Sequence, residues 1–348
     1  MNSNISDYRY NLLDYLPDEL EKVVLGLGEK KFRAKQIFGW LARGVSSFDE
    51  MTNVPAGLRR ALDESGYYIG QPEVAAMQES RTDGTRKCLY EFADGARVES
   101  VFMKYSYGNS ICISTQVGCL MGCTFCASTM DGKQRDLTAG EMLGEVLKMK
   151  NVTGEDINHV VLMGMGEPFD NYDEVAKFLR LINSPEGTNL SLRNITVSTC
   201  GIIPAIMRFA LDFPQVNLAV SLHAPNDEIR RRTMPVAKKY GYDELMKACR
   251  EYTETTHRRI TFEYALIKGV NDSKENAEEL AGRLRGWLTH VNLIPLNEVD
   301  GREYRTVEGS SVLAFKKLLE SRGIAVTVRR TLGSDIDAAC GQLRANRE

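Results

Sequence analysis

The chain has 348 residues, with 44 Lys and Arg against 47 Asp and Glu, so its formal net charge is −3. This length suggests about two domains, and the 43% hydrophobic and 26% charged content exclude a mainly disordered chain and a uniformly basic surface. Residues 1–16 are polar, and no apolar stretch is long enough to cross a membrane. We therefore expect a cytoplasmic protein without membrane association, whose eight cysteines stay reduced and serve metal binding or catalysis.

Residues 1–85 are predicted to form a small helical domain. Helical periodicity covers 20–26, 31–42 and 54–65, and these segments are separated by Gly28, Gly44 and Pro55. A basic cluster on the middle helix is a candidate RNA contact, although a solvated helix face would also explain it. The cluster consists of Lys30, Lys31, Arg33 and Lys35.

Residues 86–104 are predicted to form a β-hairpin, because strand-like segments at 88–92 and 98–103 flank the turn Asp94-Gly95. From about 105 to 335 strands and helices alternate. The predicted strands are 111–115, 159–163, 195–199, 216–222, 260–266, 291–295 and 325–330, and the predicted helices are 139–150, 172–183, 203–209, 242–255, 273–288 and 309–322. The pattern predicts an α/β fold with a parallel sheet. It falls short of eight units, which indicates a partial (β/α)6 barrel followed by a C-terminal segment, 336–348.

Three cysteines follow the first strand of this repeat, at Cys119, Cys123 and Cys126, in the spacing C-x3-C-x2-C. Three thiolates on one loop can each hold one iron of a cubane cluster and leave the fourth iron open. Gly118 and Gly122 would let the backbone fold tightly around such a cluster. The alternatives are a structural zinc site, which prefers four ligands, a ferredoxin, which fills all four positions, and buried cysteines without metal.

The cysteine loop and its position resemble the radical S-adenosylmethionine (SAM) superfamily. In that superfamily a [4Fe-4S] cluster binds the amino and carboxylate groups of SAM and cleaves it to a 5′-deoxyadenosyl radical. The resemblance implies SAM contacts at the carboxyl ends of the following strands, which form the active face of β/α barrels. Those positions are Gly166, Glu167, Ser198, Ser221, Leu222, His223 and Asn297. By itself, the GxGE motif would be read as a turn, and His223 would equally suit a structural role.

Motifs along nearly the whole chain are similar to those of bacterial dual-specificity RNA methyltransferases of this superfamily. The motifs are GCLMGCTFCAS at 118–128, MGMGEPFDN at 163–171, VNLAVSLH at 216–223, VNLIP at 291–295 and DIDAACGQLR at 335–344. That family methylates C2 of an adenine in 23S ribosomal RNA and of an adenine in certain tRNAs. A sister family methylates C8 of the same ribosomal adenine and confers antibiotic resistance. The residues of the first two motifs favour the C2 enzyme.

The resemblance also implies roles for three residues outside the cluster motif. Cys340 takes a methyl group from one SAM, and the radical from a second SAM activates that methyl group for addition to C2. Cys112 removes the C2 proton or resolves the protein–RNA adduct, leaving a transient Cys112–Cys340 disulfide. Glu99 is the candidate proton acceptor. Without the resemblance, these would be read as a flexible exposed thiol, a core cysteine and a solvent-facing carboxylate. The remaining cysteines are expected to be structural: Cys88, Cys200 and Cys249.

The implied partners are 23S rRNA before full ribosome assembly, tRNA and a flavodoxin-like reductant, and the chain is expected to act as a monomer. The target adenine must leave its stack, so recognition should depend on RNA shape and backbone contacts. Besides the basic cluster, the candidate phosphate contacts are Arg329, Arg330, Arg344 and Arg347. A hypothesis from another class is a non-catalytic iron–sulfur or zinc protein that docks a partner through its helical domain.

Overall fold

The computed structural model describes residues 10–344. Its first part is a helical module built from β1 (Tyr10–Asn11), α1 (Pro17–Gly26), α2 (Phe32–Leu41), α3 (Ala56–Glu64) and β2 (Tyr67–Tyr68). The two short strands pair in parallel and close the module, while α1 and α2 bury one apolar face each. All three predicted helices are therefore confirmed. Arg347, a candidate phosphate contact, lies outside the described residues.

An antiparallel meander follows the module and consists of β3 (Glu73–Glu79), β4 (Arg86–Glu91) and β5 (Arg97–Tyr105). The predicted hairpin is confirmed, and Gly95 in its turn has a φ of 80°, which favours glycine. β3 was not predicted, because its side chains are almost all exposed and show no apolar alternation. It pairs with β4, so the main sheet begins inside the range 1–85.

The rest of the chain alternates between strands and helices, as predicted. In chain order the elements are β6 (Gly108–Ile113), β7 (Gln116–Gly118), β8 (Lys133–Asp136), α4 (Ala139–Thr153), β9 (His159–Leu162), α5 (Tyr172–Ile182), β10 (Ile195–Thr199), α6 (Ile203–Asp212), β11 (Asn217–Ser221), α7 (Asp227–Thr233), α8 (Tyr242–Thr256), β12 (Ile260–Leu266), α9 (Lys274–Leu284), β13 (Thr289–Pro295), α10 (Gly309–Ser321) and β14 (Val326–Val328). α4 begins at a capping box, in which Thr138 Oγ1 accepts a hydrogen bond from the backbone of Glu141.

One ten-stranded sheet organises these elements, in the order β14-β13-β12-β11-β10-β9-β6-β5-β4-β3. Within this sheet, β6 and the strands from β9 to β14 pair in parallel, whereas β6, β5, β4 and β3 pair antiparallel. The sheet is therefore the predicted α/β partial barrel, extended at one edge by the meander. Within residues 10–344, no helix combines the length and the apolar character that a membrane crossing requires.

The helical module packs on the outside of the barrel, against α4 and α5. Asp14 Oδ1 accepts a hydrogen bond of 2.6 Å from the backbone of Gly140, at the start of α4. Near the other end of the same helix, Asn151 Nδ2 donates to the Gly44 carbonyl at 2.8 Å. These contacts at both ends of one helix fix the module along the length of α4.

Candidate active site

A cavity of about 970 Å³ opens at the carboxyl ends of the parallel strands. Most of the predicted site residues share its wall, namely Cys119, Cys123, Cys126, Gly166, Glu167, Ser198, Ser221, His223, Asn297 and Cys340. Three predicted residues do not line it: Glu99, Cys112 and Leu222. Leu222 is fully buried, and its backbone N–H donates to the Glu263 carbonyl.

The three cluster cysteines lie on the loop between β7 and β8. These two strands pair antiparallel at the base of the loop. Gly118 is required there, because a Cβ at this position would collide with the Gly132 carbonyl, and its φ is 80°. The loop is also tied to α7, since the backbone of Thr124 donates to the Thr233 carbonyl at 2.9 Å. The loop is thus held at its base and at its middle.

The donor set fits a cluster better than a single ion. Among residues 10–344, no three His, Cys, Asp or Glu side chains are grouped to hold one metal ion. The three thiols instead share one cavity wall, as a cubane requires when each cysteine holds a different iron. Burial raises the pKa of Cys119 to about 12 and also raises the pKa values of Cys123 and Cys126. Metal binding must therefore displace the thiol protons.

Glu167 is a buried carboxylate at the end of β9. Its Oε1 accepts from the backbone of Phe169 at 3.0 Å, and its Oε2 accepts from the backbone of Cys200 at 2.7 Å. Burial raises the pKa of Glu167. The preceding Gly166 has a φ of 104°, and a Cβ there would lie 2.7 Å from Gln116. No side chain therefore fits at Gly166, which lines the cavity beside this fixed carboxylate.

His223 and Asn297 are also held in single orientations. His223 Nδ1 accepts from the backbone of Ala265 at 2.9 Å, so the proton of the neutral ring is placed on Nε2. Burial lowers the pKa of His223 to about 3, which keeps the ring neutral. Asn297 Nδ2 donates to the Cys340 carbonyl at 3.0 Å. This bond connects the wall of the cavity to the C-terminal segment.

A second cavity, of about 490 Å³, brings Cys112 and Cys340 together on one wall. Cys112 lies on β6 and Cys340 on the C-terminal segment, and both are free thiols. Cys340 and Arg329 line both cavities. Burial raises the pKa of Cys112 to about 12 and also raises that of Cys340, while the Arg329 guanidinium opposes both shifts. Arg329 is therefore the cation that favours thiolate formation here.

The C-terminal segment is fixed rather than flexible. The Gly341 carbonyl accepts from the backbone of Ala127 at 2.7 Å, immediately after the cysteine loop. The Leu343 carbonyl accepts from Ser128 Oγ at 2.8 Å. On the other side, Asp335 Oδ2 accepts from the backbone of Arg81, in the turn between β3 and β4. These hydrogen bonds hold the segment on both sides, and Cys340 between them is half-buried.

Glu99 is buried, not solvent-facing. Its Oε1 lies 3.0 Å from Lys87 Nζ, and its Oε2 accepts from the backbone of Arg344 at 2.7 Å. Neither the first nor the second cavity includes it in its wall. In this arrangement the carboxylate anchors the end of the C-terminal segment.

Two residues of this region were not predicted to belong to it. Arg230, on α7, is fully buried and donates to the carbonyls of Cys200 and Ser221. Its sequence context, Arg230-Arg231-Arg232, is typical of a surface run, so no signal separated it from its neighbours. Cys200 lines the first cavity and was expected to be structural. Cys88 and Cys249 are fully buried, away from both cavities.

The predicted basic cluster on the helical module lies apart from the cavities. Lys30, Lys31 and Lys35 are exposed, and none of them lines a cavity wall described here. At the other end of the chain, the Arg344 guanidinium pairs with Asp131 at 2.7 Å. The basic cluster and Arg344 therefore remain predicted phosphate contacts.

Family models match two parts of the chain. Residues 113–281 match the radical SAM superfamily, and residues 10–67 match the ribosomal RNA large subunit methyltransferase N-terminal domain. The second match coincides with the helical module.

Curated relatives match almost the full length. The chain is 52% identical over 337 residues to a probable dual-specificity RNA methyltransferase RlmN of Clostridium novyi, covering 97% of this chain and 98% of the relative. A protein of the same name from Alkaliphilus oremlandii is 53% identical with the same coverage. The crystal structure of a radical SAM methyltransferase from Sphaerobacter thermophilus superposes with a TM-score of 0.93 at 44% identity, covering 97% of this chain and 99% of that one.

Proposed function

Since the chain belongs to the RlmN family of dual-specificity RNA methyltransferases, in the radical SAM superfamily, we propose that it methylates C2 of one adenine in 23S rRNA and C2 of an adenine in tRNAs. The observation that carries this proposal is the position of Cys340. Its side chain lies on the wall shared by the cofactor cavity and the cavity of Cys112. A methyl group on Cys340 would therefore be accessible from both cavities.

The residues present fit a [4Fe-4S] cluster and SAM, the cofactors of the superfamily. Cys119, Cys123 and Cys126 would hold the cluster. SAM would be held by residues on the other side of the same cavity: Gly166, Glu167, Ser198, Ser221, His223 and Asn297. When bound, the pair supplies a methyl group from one SAM and a 5′-deoxyadenosyl radical from a second. The buried carboxylate of Glu167 would pair with the SAM amino group.

Cys340 acts as the methyl acceptor of the protein. The thiol must lose its proton first, and burial opposes this because it disfavours the charged form. Arg329, on the wall of both cavities, offsets part of that cost. The hydrogen bonds at Asn297 and Gly341 hold the Cys340 backbone while its side chain reacts.

Cys112 acts on the adduct between Cys340 and the RNA. The two cysteines share the second cavity, so the Cys112 thiolate can attack the Cys340 sulfur. The S–S bond forms as the bond between that sulfur and the RNA methylene carbon breaks, and this carbon leaves with the electron pair and takes up a proton to become the methyl group. A thiol reductant must then reopen that disulfide before the next turnover. We assign the C2 proton to Glu99, which requires the Arg344 contact to open because both carboxylate oxygens are occupied.

The remaining features of the proposal concern partners and compartment. The protein acts as a cytoplasmic monomer, takes electrons from a flavodoxin-like protein and modifies 23S rRNA before ribosome assembly is complete.

The test is mass spectrometry of digested RNA after incubation of the reconstituted holoenzyme with SAM, reductant and a 23S rRNA fragment. We expect 2-methyladenosine. The sister reaction would give 8-methyladenosine instead, and that result would overturn the C2 assignment. A non-catalytic metal protein would form no 5′-deoxyadenosine even with an intact cluster.

A further inference from the structure

A third cavity, of about 1570 Å³, occupies the interior of the partial barrel toward the amino ends of its strands. We call it the barrel lumen. Its wall carries a polar side chain from the first or second residue of each of five successive strands: Thr196, Asn217, Thr261, His290 and Thr327. The interior of a closed β/α barrel is instead filled by branched apolar side chains. A polar interior of this size is therefore suited to a ligand rather than to packing.

The lumen is strongly basic. Four arginines line it, Arg258, Arg259, Arg329 and Arg330, and Glu263 is the one acidic side chain on the same wall. Arg259 and Arg330 are exposed and form no ion pair with any residue from 10 to 344. A concave site with cations of one sign raises the local concentration of anionic ligands. Its charge is thus opposite to the net charge of the whole chain.

Two tyrosines lie on the same wall. Tyr105 and Tyr107 stack with ring centroids 4.9 Å apart and an interplanar angle of 10°. Tyr107 is 67% exposed, and His159 contacts it edge-on at 5.4 Å. The ring is therefore supported from within the protein while much of its surface remains open. Exposed aromatic rings beside arginines are typical of sites that bind single-stranded nucleic acid by base stacking.

The lumen borders both cavities that contain Cys340. Met163, Glu263 and Arg329 line the lumen and the cofactor cavity. Tyr105, together with Met163 and Arg329, also lines the cavity of Cys112 and Cys340. Arg329 therefore lies where the lumen meets the two cavities that contain Cys340.

We propose that the barrel lumen binds the single-stranded RNA segment next to the target adenine, with a base stacked on Tyr107 and phosphates on Arg259 and Arg330. The inference rests on the proposed function and deepens it, because it assigns the route by which the substrate reaches Cys340. Polar walls, unpaired cations and a supported aromatic ring together match the backbone and the bases of such a segment.

The experiment measures binding of the reconstituted holoenzyme to an RNA stem-loop with the target adenine in its loop, without reductant, over a range of salt concentrations. Tyr107→Ala is expected to weaken binding about tenfold, whereas Tyr107→Phe keeps the stacking surface and binds within about twofold of the wild type. Arg259→Gln and Arg330→Gln should each reduce the salt slope by about 1. The control Lys317→Gln, an exposed lysine on α10, should change neither quantity.

Wild-type affinity in Tyr107→Ala together with a wild-type salt slope in Arg259→Gln and Arg330→Gln would overturn the lumen proposal. That failure is distinguishable from failure of the proposed function, because binding is measured separately from methylation. If binding depends on the lumen but the wild type forms no 2-methyladenosine, the lumen proposal holds and the proposed function fails. If the wild type forms 2-methyladenosine while the lumen variants bind normally, the proposed function holds and the lumen proposal fails.

Discussion

Lys87 Nζ and Glu99 Oε1 form an ion pair of 3.0 Å on adjacent strands of the meander, and their side chains are only 7% and 8% exposed. The pair also holds the segment that carries Cys340. Lys87 Nζ donates to the Asp337 carbonyl at 3.4 Å, and Glu99 accepts from the backbone of Arg344. The meander is thereby connected to the segment that carries Cys340 through two buried charges.

We expect Lys87→Met to destabilise the protein by about 3–5 kcal/mol, because the Glu99 carboxylate would remain buried without its partner. The free energy of unfolding, measured in urea, tests this. A matched control is Lys104→Met, which removes an exposed pair with Glu155 and should cost far less, because solvent screens that pair. Equal costs for the two variants would show that burial does not decide the strength of the Lys87 pair.

The main α/β order could be predicted from the sequence, because each parallel strand and its helix carry their own apolar pattern. β10 and β12 have the predicted bounds. β3 and α7 were missed for a physical reason: the first is nearly all exposed, and the second is a seven-residue helix without an apolar stripe. Motif positions located the cofactor cavity, because strand ends meet at one face. The burial of Arg230 depends on tertiary packing, which no local pattern encodes.

Replacing Cys340 separates cluster binding from methyl transfer. Cys340→Ala should keep the iron content and the 5′-deoxyadenosine formation of the wild type, because the cluster ligands lie on another loop. Methylation of RNA should fall by at least about 100-fold, since the nucleophile that splits the reaction into two steps is lost. Counting methyl groups on RNA measures this, with Cys249→Ala, a buried cysteine away from the cavities, as control. Residual methylation near wild-type levels would contradict the acceptor role.

Replacing Cys112 should trap the reaction at a later stage. Cys112→Ala retains Cys340, so the bond to RNA can form, but the neighbouring thiol that would break it is absent. We expect a covalent protein–RNA species, seen as a gel shift that survives denaturant. Cys88→Ala, another buried thiol, should give no such shift. If the double variant Cys112→Ala with Cys340→Ala still gave the shifted band, the attachment would not be at Cys340.

Glu145 should lower the free energy of unfolding as the pH rises. Burial raises its pKa from 4.5 to about 8, so the folded protein keeps this proton while the unfolded chain loses it above pH 4.5. The unfolded state then binds fewer protons, and stability is lost as the pH rises from about 4.5 to about 8. Glu145→Gln removes this loss, so its stability relative to the wild type should be higher at pH 8 than at pH 5, by a few kcal/mol.

Urea unfolding of both proteins at both pH values measures the Glu145 effect, and the other titrating groups cancel in the difference. Glu254→Gln, at an exposed site, should give the same difference from the wild type at the two pH values. A Glu145→Gln variant that gains nothing between pH 5 and pH 8 would show that the carboxyl group ionises at its ordinary pH in the folded protein.

Arg230 should influence the reduction potential of the bound cluster. Its guanidinium is fully buried, Nε and Nη1 have no hydrogen-bond partner within residues 10–344, and its charge opposes the rise in the pKa of Cys123. Reduction adds negative charge to a site that already holds three thiolates, so a nearby cation favours the reduced state. Arg230→Met should therefore lower the reduction potential of the cluster, by about 60 mV for each 1.4 kcal/mol of lost attraction.

A redox titration followed by electron paramagnetic resonance measures this potential without SAM or RNA. Arg230→Lys should restore much of the potential, and Arg232→Met, exposed on the same helix, should leave it unchanged. If Arg230→Met and Arg232→Met had equal reduction potentials, Arg230 would have only a structural role.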